Sequence, residues 1–278
     1  MTAAFDVATV GDNCIDRYSA PILRSCVGGN AVNVAVHLAR AGLKVAYFGA
    51  VGDDAAGRRT IATLCECGVD TTYVRTVADR PTAYTEITVL PNGDRQFAFE
   101  EFGACKGYRP SPDEAAVLTS MRHVHLGWID DRGALKRLLI DAGVAVSQDL
   151  TVNSPDGTVD FSARGLAIAF RSAGETAGNH NTQLAEMLHD GARLAVITRG
   201  KSGSIASNGM QAAEAGVQPV EVLETLGAGD TFIAAFIAAS LRDQPLDLCL
   251  RAGRDAAAVT CTHLGGFPQA PFVDPPEA

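Results

Sequence analysis

Two periodicities alternate along this chain. Short runs rich in apolar residues at Phe5–Val10, Leu43–Ala50, His123–Gly127, Val144–Leu150, Ala167–Phe170 and Leu194–Ile197 read as buried strands. Helical spacing appears instead from Asn30 through Ala39, over Ala55–Cys67, Pro112–Met121 and Arg132–Asp141, and over Leu246–Thr262. Such alternation predicts a mainly parallel sheet with right-handed crossovers, hence an α/β fold. The grammar changes between Thr82 and Glu101. There Thr85–Leu90 and Arg95–Glu100 flank Pro91-Asn92-Gly93-Asp94, and Asn-Gly between β-rich runs is a strong hairpin signal. This hairpin is expected outside the main sheet. Ser207-Asn208-Gly209-Met210 reads as a second hairpin turn, and no repeat, low-complexity tract or interdomain linker is seen.

The helix that begins at Phe232-Ile233-Ala234-Ala235-Phe236-Ile237 carries its large apolar residues on one face and alanines over most of the rest. It is a buried helix, and Gly227-Ala228-Gly229-Asp230 forms its start. A helix N-terminus offers unpaired amides and the positive end of the dipole, which makes it a ready anion site. Asp230 beside that site suits a reaction that removes a proton while negative charge builds up nearby. The plainer reading is an acidic residue in the first helical turn, favourable to the dipole and nothing more. Asp12, just past the first strand, occupies the edge where an open α/β sheet meets its ligands. The Gly11-Asp12-Asn13-Cys14 wording is not the Gly-x-Gly-x-x-Gly of a dinucleotide dehydrogenase.

Charge narrows the partners. A formal net charge of -9 argues against a nucleic-acid or anionic-membrane surface as the main partner, without forbidding an anionic nucleotide at a helix end. Seven cysteines show neither a disulfide framework nor a four-ligand zinc spacing, so free thiols are expected. His123 and His125 share a strand face but lack a third ligand at matching spacing, which makes them core histidines. The N-terminal residues lack the basic start and apolar core of a signal peptide, and no apolar run reaches membrane-spanning length. A soluble cytoplasmic protein is the expectation.

Glu224-Thr225-Leu226-Gly227-Ala228-Gly229-Asp230 resembles the C-terminal signature of the ribokinase-like (PfkB-type) carbohydrate kinases, usually Asp-Thr-x-Gly-Ala-Gly-Asp. Gly28-Gly29-Asn30-Ala31-Val32-Asn33 is similar to the N-terminal signature of the same family. The two motifs stand in the family's order and spacing, and the resemblance covers nearly the whole chain. The wording Gly11-Asp12-Asn13-Cys14-Ile15-Asp16 is closest to one branch, the fructoselysine 6-kinases.

The resemblance implies a single kinase domain over residues 1–278, of three layers, with a small β lid near residues 17–27 and 82–102. It also implies ATP-dependent phosphorylation of a primary sugar hydroxyl, with Asp230 as base and Gly227, Ala228 and Gly229 as the anion hole. Asp12, Asp16, Gly28, Gly29, Asn30 and Asn33 would hold the sugar, with Glu100, Glu101 and Arg95 as polar candidates from the hairpin. Thr198, Arg199, Gly200, Lys201 and Gly203, with Gly227 and Gly229, would face the nucleotide phosphates. Magnesium is the implied cofactor. The family's Asn-x-x-Glu has no clean match, so Glu175 is the metal candidate, with Asn179 and Asn181 as alternatives. Glu224 in place of Asp bears on a potassium site that this family often builds there. Asp149, at a strand end, is a candidate site neighbour. The implied substrate is a fructosyl-amine, with ribose, fructose or a nucleoside as alternatives. An inactive sugar or nucleotide sensor is a further alternative, and a homodimer through the lid a further expectation.

Overall fold

A computed structural model of the chain describes residues 5–89, 95–152, 157–173 and 178–273. The strands are β1 (Val7–Val10), β2 (Cys14–Tyr18), β3 (Arg24–Gly28), β4 (Val45–Gly52), β5 (Val74–Val77), β6 (Tyr84–Val89), β7 (Arg95–Glu101), β8 (His123–Leu126), β9 (Ala145–Asp149), β10 (Ile168–Ser172), β11 (Ala195–Thr198), β12 (Ser204–Ser207) and β13 (Ala212–Ala215). The helices are α1 (Asn30–Arg40), α2 (Ala55–Glu66), α3 (Pro112–Leu118), α4 (Ala134–Asp141), α5 (His180–Asp190), α6 (Ala228–Ser240) and α7 (Leu246–Thr260).

Among the described residues the main sheet runs β13-β12-β11-β10-β9-β8-β1-β4-β5. It is parallel from β5 to β11, and β12 and β13 turn back antiparallel at one edge. Its central strands are buried on both faces, which is why they read as apolar runs without alternation. Side chains of α1 and α6 fill one face of the core, and those of α4 and α5 the other. Phe236 of α6 meets Phe170 of β10 edge-on, ring centroids 5.6 Å apart, and so anchors α6 on the sheet.

The chain leaves β1 toward β4 on one side and returns as β8 on the other. A crevice therefore opens at the C-terminal ends of β1 and β8, the switch point at which open α/β sheets bind ligands. A second, smaller sheet runs β3-β2-β6-β7 and contains the hairpin strands β6 and β7. The turn Pro91–Asp94 lies outside the described residues.

Three elements differ from the sequence reading. Cys14–Tyr18, to which the sequence pattern assigns no strand, is strand β2, antiparallel to β3 and parallel to β6. Its alternation is masked because Ile15 and Asp16 are both buried, one in the core and one toward a cavity. β5 is a partly exposed edge strand with little apolar signal. Helix α5 buries only Leu184 and Met187, too few for a periodic stripe. No helix among the described residues is long and apolar enough to cross a membrane.

Candidate active site

A cavity of about 160 Å³ opens between the switch point and the small sheet. Among the residues that line it are Asp12, Asp16, Gly29, Asn30, Asn33, Glu100, Glu101 and Asp230, so both predicted motifs and the hairpin converge there. An adjoining, more open cavity shares Asp12, Asn30, Glu100 and Asp230 and adds Trp128 and Asp149.

Asn30 is the hub. It is the first residue of α1, and its backbone amide donates to Asp12 Oδ2 at 2.7 Å. Its side-chain amide donates to Asp230 Oδ1 at 2.7 Å and to Asp149 Oδ2 at 3.1 Å. Asn33, one turn along α1, donates to the other oxygen of Asp230 at 2.7 Å. Asp12 is held a second time by the Trp128 amide at 2.8 Å, so the loops after β1 and β8 are tied across the crevice.

Burial sets the acidity here. It raises the carboxyls of Asp12 and Asp149 above the usual carboxylate range, against the hydrogen bonds that each accepts. Asp230 is pushed up to about 7, chiefly by burial, with the nearby Asp149 and Asp12 adding to the shift. The amides of Asn33 and Asn30 act in the opposite sense. A carboxyl poised near neutrality is suited to take a proton and later release it.

Gly227 precedes α6 at φ 72°, and a Cβ there would stand 2.4 Å from Gly266 Cα, so both conformation and packing demand glycine. No side chain caps α6, and the Ala228 amide is taken by the Thr225 carbonyl. The helix start thus presents the amide dipoles of Gly229 and Asp230 outward, beside the Asp230 carboxyl. Gly28 clears room for Asp16: a Cβ at Gly28 would lie 2.1 Å from Asp16 Oδ2.

Thr198 ends β11, which places Thr198–Gly203 at the same sheet edge as Asp12 and Asp149. Arg199 pairs with Glu214 of β13 and donates to the Ser202 carbonyl, so its guanidinium braces the turn. Gly200 and Gly203 both adopt positive φ, and Lys201 is exposed.

Glu224 is buried, and its carboxylate accepts from the Tyr18 hydroxyl at 2.8 Å and from the Gly265 amide at 2.9 Å. It ties β2 to the chain on either side of α6 and α7. Sequence reasoning did not find Tyr18 or Trp128, because neither belongs to a motif. Asn179 caps α5 by accepting from the Thr182 amide, and Asn181 is exposed. Glu175 and the side chain of Arg95 lie outside the described residues. His123 and His125 both bond Ser147 Oγ within the sheet, as core histidines.

The sequence that builds this crevice and glycine turn matches a known family. The pfkB family carbohydrate kinase model matches residues 20–129 and 161–271, and the chain belongs to that family. Over 262 residues it is 31% identical to a fructoselysine 6-kinase of Escherichia coli, covering 94% of this chain and 99% of that protein. It is likewise 31% identical to a fructosamine kinase of Bacillus subtilis, covering 93% and 91%. A ribokinase of Arabidopsis thaliana, solved with ribose and ATP, superposes with a TM-score of 0.83 at 23% identity, covering 94% of each chain. The fold is ribokinase-like, as the two motifs imply.

Proposed function

We propose that this protein transfers the terminal phosphoryl group of ATP to a primary hydroxyl of a sugar, with a fructosyl-amine as the preferred acceptor. The observation that carries the reading is Asp230, clamped by Asn30 and Asn33 on the cavity wall and next to the uncapped start of α6. In this scheme the sugar hydroxyl oxygen attacks the γ-phosphorus and the bond to the β-phosphate oxygen breaks. ADP leaves, and the hydroxyl proton passes to Asp230. The amides of Gly229 and Asp230 at the start of α6 would face the charge that builds on the phosphoryl oxygens.

Asp12 and Asp16 would accept sugar hydroxyls, since a carboxylate takes two such bonds at once. The turn Thr198–Gly203 would receive the nucleotide phosphates. The donor set also fits magnesium. A magnesium ion that travels on phosphates needs only one or two carboxylates. Asp149, which shares Asn30 with Asp230, is the described residue placed to meet its waters. Among the described residues no group of three or more His, Cys, Asp or Glu is placed to hold a metal by itself. When bound, the ion neutralises charge on the phosphates.

The fructosyl-amine preference rests on the wording from Gly11 to Asp16 and on the two relatives above. A sensor on this fold would have no use for a desolvated carboxyl poised near 7, which favours the enzyme over the inactive reading. The test is ATP-dependent turnover of ribose, fructose, adenosine and a fructosyl-amine. We expect the highest kcat/KM for the fructosyl-amine, and a clear preference for ribose or adenosine would overturn the choice of substrate.

A further inference from the structure

The cavity wall is unusually one-sided. Asp12, Asp16, Glu100, Glu101 and Asp230 line it, and among the described residues no Lys, Arg or His does. Carboxylates accept and do not donate, so the ligand that fits is rich in donors.

Hydroxyls supply donors, but five carboxyls around one small cavity also repel one another. A positive charge on the ligand relieves that repulsion. Asp12 accepts from Asn30 and Trp128, Asp230 from Asn30 and Asn33, and Asp16 from the Cys14 thiol. The far wall is the small sheet. There Asp16 of β2 pairs in register with Thr85 of β6, and Thr85 pairs with Glu100 of β7. These three side chains form one row across the sheet, all lining the cavity.

A β-bulge completes the wall. Glu86 pairs with Phe99 and Ile87 with Phe97, so Ala98 is the extra residue. Side chains three apart on a regular strand point to opposite faces. The bulge resets that alternation, and Phe97 and Glu100 both line the cavity. The wall facing Asp230 therefore combines a carboxylate row with an aromatic ring, a pairing suited to an alkylammonium group.

We propose that Glu100, across Thr85 from Asp16, is a specificity-determining residue that reads a protonated amine on the sugar, at the end remote from the hydroxyl that is phosphorylated. This rests on the kinase reading and names the residue that selects the acceptor.

The test compares a fructosyl-alkylamine with its ether analogue, a 1-O-alkyl fructose, which keeps the shape and loses the charge. Both are measured by turnover and, independently, by equilibrium binding followed through Trp128 fluorescence. In the unaltered protein the charged form is expected to be favoured about 10- to 100-fold, as for a charge-assisted hydrogen bond. Glu100→Gln collapses that ratio toward one, Glu100→Asp retains part of it, and a melting curve verifies that each variant is folded. A folded Glu100→Gln that keeps the full ratio overturns the proposal while leaving the kinase reading intact. Preferential binding of the charged form without turnover of any sugar supports the proposal and removes the kinase reading. Equal binding of the two forms by the unaltered protein also overturns the proposal.

Discussion

Asn30 and Asp230 lie 200 residues apart in the chain, and the Asn30 amide stands 2.7 Å from the Asp230 carboxyl. With Asn33 on the second oxygen, the carboxyl is held in one orientation at the start of α6. One bond thus joins the two motifs that the sequence keeps at opposite ends.

Removing the base while keeping its shape tests the assignment directly. Asp230→Asn is expected to lower kcat by on the order of 10²–10⁴, with sugar and nucleotide binding changed far less. Near-full turnover in a variant with a normal melting curve would refute Asp230 as the base.

The pH profile follows from the same clamp. Asp230 must be ionised to accept a proton, and its pKa is about 7, so kcat/KM should rise with pH through about 7 and then level. The Asn33 bond holds that value down, so Asn33→Ala should move the acid limb to higher pH and lower activity at neutrality. An acid limb unmoved in Asn33→Ala, read from a pH–rate series, would contradict this.

Acid should weaken the fold through the buried histidines. Burial lowers His123 to about 4 and His125 to about 3, against 6.5 for the free side chain. Each is neutral in the fold and takes up a proton more readily when unfolded. Their stabilising contribution is thus complete above about 6.5 and is lost as pH falls toward those lowered values, by up to about 1.4 kcal/mol per pH unit per group. Asp230, with its raised pKa, acts in the opposite sense, its share being lost as pH rises from 3.8 to about 7. His125→Gln isolates the histidine contribution: stability at pH 7 falls, but the decline between pH 7 and pH 5 becomes shallower. Urea midpoints at the two pH values decide it, and parallel declines would rule it out.

The glycine turn carries a cost that alanine would expose. Gly227→Ala places a Cβ against Gly266 and forces a left-handed backbone on a residue that resists it. A loss of about 1–3 kcal/mol in stability is expected, with a larger fall in kcat as the amides shift. A denaturant midpoint equal to that of the unaltered protein would show that the turn tolerates a side chain.

The Tyr18 hydroxyl reaches both oxygens of the buried Glu224 carboxylate. Tyr18→Phe removes that donor and should destabilise the protein by about 1–3 kcal/mol. Chemical denaturation of the variant provides the check, and an unchanged midpoint would mean that other partners suffice.

Local chemistry alone determined much of this protein. Runs buried on both faces specify the parallel strands, because such strands need no alternation. Asn-Gly between β-rich runs signals a hairpin, and the strands β6 and β7 on either side of it pair antiparallel. Gly227 to Asp230 specifies a helix start, where the first amides have no partner within the helix. None of this depends on what lies across the molecule. Tertiary structure alone decided the rest. That Asp230 is buried, clamped by Asn30 and Asn33, and pushed up to about 7 by that burial and by the nearby Asp149 and Asp12 was decided by the tertiary structure. Glu224 became a tie to Tyr18, and Phe97 joined Glu100 at the cavity through the bulge at Ala98. β2 and α5 stayed hidden because their partners, not their periodicity, hold them. Desolvation and hydrogen-bond pairing depend on groups brought together from distant parts of the chain, and a linear pattern does not encode those distances.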